Sequence, residues 1–491
     1  MSDFIYRKIS DEIIQAINSG ILHKGEKLDS VRKLAKKREI GVSTASHVYA
    51  ELEKSGWIYA IEKKGYFVAN IASQHVTTDV QSYGDSFLSY KELAKLPLAN
   101  ALQYSFNDPN ILPLSCTAPS TVIDAETILN QLHRKVIKRR PYRMLMQDPI
   151  EGIQPLREEI AKYYLNSGQI IPYKDILITN GRKDGLITAI QALKLQNSCI
   201  AIEAPSSFFF QSLIQQYNFK TTAIPMQADF ANELTLLDKA FQAEKFSAYL
   251  FNPNFNDPTG RVLTTKEKKQ LIAWAEKNEV ALIEYDRSEL HFSSQRPKSV
   301  SSLLTSNSTC KVISIVDFYD TVSATISLGY IICKNTYEQS LFAKQINSEE
   351  PSISLQYMIL EMLQSGRYQK FVDKVRRQLS IQCTQMLYAL NAQVGDLVIL
   401  NDPAGGPCLW IGLPDGYSSK DLWHYLIKYN LAIAPGCMFI NAIEFDNYFR
   451  VTYGLPWDDK MKAGIIDLAL HIKAFLSVNL AVDKQSLNDI E

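Results

Sequence analysis

No stretch of the 491 residues runs to 18 apolar positions, and the opening MSDFIYRKIS lacks an apolar core of signal-peptide length. The expectation is a cytoplasmic protein without a membrane anchor. Cysteine is sparse and scattered. Cys116, Cys199, Cys310, Cys333, Cys383, Cys408 and Cys437 stand singly, with no C-x-x-C pair and no histidine at ligand spacing. That pattern argues against a zinc site and against a disulfide framework, and it suits reduced, mostly buried small hydrophobes. Net charge is missing as well: 52 Lys and Arg balance 52 Asp and Glu. No global field therefore draws the chain to nucleic acid or to a membrane surface. The balance is uneven in one place, because residues 1–70 hold 12 basic against nine acidic side chains and leave the remainder at −3.

What is present is an ordinary globular composition, 46% hydrophobic and 21% charged, in a chain too long for one core, so two or three domains are expected. Ile5, Ile9, Ile13 and Ile17 recur every four residues and predict a first helix. Glycines 20 and 25 break it. SVRKLAKKREI predicts a short basic helix with Ser30 as its N-cap, and VSTASHVYAELEKSG a third helix closed by Gly56. WIYAIEKKGYFVAN alternates as two short strands around a Lys-Lys-Gly turn. Residues 71–105 are polar and weakly periodic and read as a linker and entry segment. From about 106 onward, apolar strand-like runs (175–179, 199–205, 247–253, 280–286, 311–318) alternate with helical patterns such as TTKEKKQLIAWAEKN. Such alternation predicts a largely parallel sheet with helices on both faces.

Three small helices followed by a two-stranded wing resemble the GntR type of winged helix-turn-helix DNA-binding domain. The resemblance is carried by LDSVRKLA at the second helix, IGVSTASHVYAELEKSG at the third, and Gly65–Val68 in the wing, within about 65 residues. It implies that Arg32 and the wing residues Lys63, Lys64 and Gly65 meet phosphates or the minor groove. Ser43, Thr44 and His47 would face base edges in the major groove. His47 reads equally as a helix-surface histidine.

The second part resembles the fold type I aminotransferases, which use pyridoxal 5′-phosphate (PLP). The segments that carry this are DPIEGIQPLREEIAKYY, ILITNGRKDGL, FNDPTG, LIEYDRSELHF, IAPGCMF and FRVTYG, spread over roughly 106–476. The fold class implied is α/β, a mostly parallel sheet with a small C-terminal α+β subdomain. The boundaries are 1–70 for the DNA-binding domain, 71–105 for the linker and 106–480 for the aminotransferase-like domain. A GntR domain fused to this fold resembles the MocR-like transcriptional regulators.

PLP chemistry needs a lysine amine. In the family's frame, counting back from Leu328-Gly329-Tyr330, SIVDFYDTVSATISLGY places Asp320 at that lysine and Ser327 at the phosphate-binding arginine. No lysine lies between Lys311 and Lys334. The asparagine that contacts the PLP ring corresponds to Asp257, and the stacking aromatic falls on Ser207 beside Phe208. The three changes at 257, 320 and 327 remove about four units of positive charge, where each close pair is worth roughly 4 kcal/mol at an effective dielectric of about 20.

Asp286 remains as a candidate pyridinium partner or a strand-end cap. Arg182 and Lys183 on the phosphate-facing turn read either as an anion site or as ion-pair partners of Asp257 and Asp320. Arg450 in YFRVTYG stands where the family binds a substrate carboxylate, a task suited to a guanidinium fork, and reads alternatively as a structural ion pair. Phe208–Phe210 can be packing rather than a stacking platform. The expectation is a homodimeric DNA-binding regulator with no catalytic residue and no metal. Its aminotransferase-like domain would sense a small-molecule effector, a carboxylate-bearing one where Arg450 keeps its family role, without a covalently held PLP. Alternatives are PLP held non-covalently, a residual aminotransferase, or a constitutive DNA-binding scaffold.

Overall fold

A computed structural model describes residues 2–23, 25–61, 64–69, 88–116, 119–139, 149–439 and 445–488. The chain divides into two compact units, 1–87 and 88–491.

The first unit follows the expected order: α1 (Ser2–Asn18), α2 (Val31–Lys37), α3 (Val42–Lys54), β1 (Ile58–Ile61) and β2 (Gly65–Val68). Ser30 caps α2, its hydroxyl accepting from the Lys33 N–H at 3.3 Å. Gly56 follows α3 at φ +76, the left-handed conformation that glycine adopts without a Cβ penalty. Ile9 and Ile13 of α1 pack with Leu34, Val48, Leu52, Ile58 and Val68 in a single small core. The wing strands run antiparallel and pair Ile61 with Gly65.

The second unit begins with α4 (Tyr90–Leu93) and α5 (Leu98–Asn107). This corrects the expected linker: residues 88–105 lack strong periodicity, yet Leu93, Ala101 and Leu102 are buried in the large core. Of that expected linker, residues 71–87 lie outside the described residues. Next come α6 (Glu126–Arg139), α7 (Gln154–Asn166), β3 (Ile176–Thr179), α8 (Gly181–Ala192), β4 (Cys199–Ala204), α9 (Phe208–Gln216), β5 (Lys220–Pro225) and α10 (Phe230–Ala243). They are followed by β6 (Ala248–Asn254), α11 (Thr265–Asn278), β7 (Ala281–Asp286), β8 (Val312–Asp317) and β9 (Gly329–Ile332). The seven strands form one sheet in the order β3-β9-β8-β7-β6-β4-β5, and only β9 runs against the others. Each of the five expected apolar runs is a strand.

The period of two sorts each strand between two cores. Ile283, Tyr285, Ile313 and Ile315 face one core with Leu186, Ile190 and Phe210. Leu282 and Val312 face the other, with Leu271 and Trp274 of α11. Gly329 permits the turn back into β9, since a Cβ there would lie 2.6 Å from the Val316 carbonyl oxygen. The remaining elements are α12 (Tyr337–Asn347), α13 (Ile353–Gln364), the long α14 (Arg367–Val394), β10 (Ile399–Leu400), β11 (Cys408–Gly412), α15 (Ser419–Leu426), β12 (Ala434–Pro435), β13 (Tyr448–Thr452) and α16 (Asp459–Asn488). The four short strands make the antiparallel sheet β10-β11-β13-β12 of the small α+β subdomain. Among the described residues no helix is long and apolar enough to cross a membrane, and no group of three His, Cys, Asp or Glu side chains could hold a metal ion.

Candidate functional site

In the first unit, Ser43, Thr44 and His47 stand on adjacent turns of α3, with Ser43 and His47 exposed and Thr44 half-buried. The His47 ring packs edge-on against Tyr6 at 4.5 Å, so α1 holds its orientation. Arg32 is exposed on α2 and has no ion-pair partner among the described residues, whereas its neighbours Lys33 and Lys37 both reach Asp29, at 2.6 and 3.5 Å. Lys64 and Gly65 are exposed at the wing, Gly65 at φ +110. Lys63 lies outside the described residues.

In the second unit, the loop after β8 returns a buried carboxylate to the centre of the molecule. Asp320 accepts a hydrogen bond from Arg287 Nε at 2.8 Å, and the two side chains are only 6% and 3% exposed. The Tyr285 hydroxyl stands 3.1 Å from Asp317 and 3.3 Å from Asp320. Arg182, at the start of α8, reaches the same tyrosine at 3.5 Å and Asp317 at 3.9 Å. Its guanidinium lies between the rings of Phe209 and Tyr319, at 4.6 and 4.5 Å. A second pair completes the cluster: Arg450 donates to Asp257 at 2.7 Å and to the Ser115 carbonyl, with the Phe439 ring 4.8 Å from its centre.

Three arginines thus face three aspartates. Burial alone would raise every carboxyl here. Asp257 is nevertheless held below the usual carboxylate range, because Arg450, Arg287 and Arg182 outweigh the desolvation. Asp317 goes the other way, to about 6, pushed by burial and by the charge of Asp320 beside it. Burial also pushes the Cys116 thiol up to about 11, against the pull of Arg450 and Arg182. Two polar atoms in this cluster, Asp320 Oδ1 and Arg450 Nε, have no partner among the described residues.

Of the seven residues that the sequence assigns to the pocket, the structure brings Arg182, Asp257, Asp320 and Arg450 into the cluster, with Phe208 exposed beside Phe209 at its rim. Lys183 is exposed one residue further along α8, and no partner for it is found among the described residues. Asp286 is placed as a strand-end cap, the second of its two readings. It alternates with Tyr285 on β7 and so points to the opposite face, where it accepts from Asn254 at 2.8 Å and from Ser288 at 2.9 and 2.8 Å, with Arg296 at 3.8 Å. The residues that face the cluster instead are Tyr285 and Arg287, and the strict alternation within 281–287 was the signal that could have found them.

PLP, which the fold implies, is not fitted by these residues. No lysine is among the side chains meeting at the cluster. The two fully buried lysines are bound elsewhere, Lys268 to Asn254 at 2.6 Å and Lys344 to Asp184 at 3.3 Å. The acidic side chain at the centre of the cluster, Asp320, is already paired with Arg287. Ser327 offers only a hydroxyl, 3.3 Å from the Asn180 carbonyl, where the cofactor's phosphate needs a cation.

Residues 5–68 match the model described as bacterial regulatory proteins of the gntR family, and residues 143–284 match aminotransferase class I and II. The chain is therefore a GntR helix-turn-helix domain followed by an aminotransferase-class domain. Relatives named as HTH-type transcriptional regulators align over more than nine-tenths of the chain. YjiR of Escherichia coli K12, an HTH-type transcriptional regulator by name, is 22% identical over 94% of this chain and 97% of its own. YdfD of Bacillus subtilis 168, likewise named, is 26% identical over 96% and 97%. Among solved structures, the α-aminoadipate aminotransferase LysN of Thermus thermophilus superposes with a TM-score of 0.68 at 21% identity, over 81% of this chain and all of its own. The kynurenine aminotransferase of Pyrococcus horikoshii gives 0.69 at 22%, over 79% and 98%.

Proposed function

We propose that this protein is a DNA-binding transcriptional regulator whose aminotransferase-like domain carries no aminotransferase chemistry and serves as an effector-sensing and dimerisation unit. The observation that supports the loss of chemistry is the buried Asp320–Arg287 pair at 2.8 Å, which fills the lysine's place with an already neutralised carboxylate. The relatives that align over more than nine-tenths of the chain, both named as HTH-type transcriptional regulators, support the regulatory role. Family dimers form through the aminotransferase fold, and a dimer presents two readers to paired half-sites.

For the effector, Arg450 is a poor free anchor, since Asp257 and the Ser115 carbonyl already take both ends of its fork. The partly open rim of Arg182, Phe209 and Tyr319, with exposed Phe208 beside it, is the better receiver. An effector acts by binding one arrangement of sensor and reader more tightly than the other.

The test is an absorbance and native mass spectrum of the purified protein incubated with PLP. No visible adduct band and no bound mass are expected, and a borohydride-sensitive yellow species would refute the reading. For the reader, Arg32→Ala is expected to weaken binding to any duplex several-fold and to lower the slope of log affinity against log salt by about one, as loss of one phosphate contact does. Titrations at two salt concentrations check this. An unchanged slope removes Arg32 from the interface.

A further inference from the structure

We propose that a basic groove on the aminotransferase-like unit is a second docking surface for the phosphate backbone of duplex DNA, apart from the winged helix. The inference rests on the chain being a DNA binder and adds a surface to that reading. The groove, of about 500 Å³, runs between α4 and α15 and carries Lys91, Lys95 and Lys428 with Tyr90, His424 and Tyr425. Lys91 on α4 and Lys95 just past its end are four residues apart, and His424 and Lys428 repeat that spacing along α15 and the turn after it.

Charge is the first argument. The three lysines are exposed, and none is within salt-bridge distance of a carboxylate among the described residues, although Glu92 on α4 feels the charge of Lys95. Asp421 is the one carboxylate in the lining. The concentration is local, because the chain beyond residue 70 carries a net −3. The potential is felt by His424, held below its ordinary value by burial and by Lys420 and Lys428, against the opposing pull of Asp421.

Shape is the second argument. The lysines line an open trough rather than a closed cavity, and Tyr90, exposed, and the ring of Tyr425 flank it. That combination suits a polyanion whose charges are spaced along a line, where sequence-blind Lys and Tyr contacts to phosphate set position and supply affinity.

Covalent continuity is the third. The groove's first helix starts at Tyr90, and 18 residues of chain (70–87) separate Ala69 of the winged-helix unit from Leu88. Fully extended, that is at most about 65 Å. One turn of duplex is about 34 Å, so DNA within roughly two turns of a bound half-site is inside the tether's limit.

The experiment uses the full chain, a labelled random-sequence 60-bp duplex and a 16-bp duplex, with anisotropy followed across a sodium chloride series. Lys91→Glu with Lys428→Glu is compared with a control of equal charge change elsewhere on the same unit, Lys239→Glu with Lys277→Glu. The groove variant is expected to bind the 60-bp duplex at least tenfold more weakly, with a salt slope lower by about two, and to bind the 16-bp duplex like the parent. Equal affinity and slope on the 60-bp duplex, or an equal loss in the control, overturns the groove and leaves the winged-helix reading standing. A parent that binds neither duplex overturns both.

Discussion

Asp320→Lys is expected to make the protein less stable by about 3–5 kcal/mol and to leave it colourless with PLP, although it restores the residue type that the enzyme family uses. The reason is the neighbour. Arg287 stands 2.8 Å from the present carboxylate, with both side chains almost completely buried. A lysine there faces a guanidinium out of water, and the arginine keeps its charge because a guanidinium is effectively always protonated in proteins. The second half of the expectation follows from Ser327 and Asp257, which leave the cofactor's phosphate and ring without their usual partners. Urea unfolding and an absorbance spectrum check both halves. Asp320→Leu combined with Arg287→Met is expected to recover most of the loss, since removing a buried pair costs less than breaking one. A stable, yellow Asp320→Lys protein would show that only the lysine had been lost.

Arg450→Ala is expected to cost a similar 3–5 kcal/mol through a different failure. Asp257 keeps its low pKa because Arg450, Arg287 and Arg182 overcome its burial, and the substitution removes the first of these. The Ser115 carbonyl loses its donor at the same time. Lysine in place of Arg450 should rescue only in part, because one ammonium cannot reproduce a fork that spans two acceptors. Arg450→Met with Asp257→Asn should be closer to the parent than Arg450→Ala is. Denaturation curves of the four proteins decide between this structural role and a carboxylate anchor. A nearly neutral Arg450→Ala that had lost stabilisation by added L-glutamate would favour the anchor.

Most of the fold was legible because it rests on local patterns. Five of the seven strands are apolar runs whose residues are all buried, and Ser30 and Gly56 mark helix ends by chemistry that needs no tertiary partner. β5 was not legible: it is an edge strand whose first residues, Lys220, Thr221 and Thr222, carry no apolar signature. The helices after residue 88 were hidden because polar faces outnumber the few residues that pack.

The site was legible by residue but not by pairing. Arg450 and Asp257 are 193 positions apart, and nothing in their spacing joins them. The motif position of Asp286 left its two readings open, because a motif carries no information on which face of β7 a residue occupies. The alternation of β7 gives the inward face to Tyr285 and Arg287.

The internal pairing of arginines and aspartates has a consequence for the protein's life in a cell. A PLP enzyme is stabilised by its cofactor in proportion to how far the free concentration exceeds the dissociation constant, so its folded fraction falls when the vitamin is scarce. A chain that supplies its own counter-ions has no such dependence. On the reading proposed here, the abundance of this regulator is set by synthesis and degradation alone, and a change in vitamin B6 supply leaves its half-life untouched.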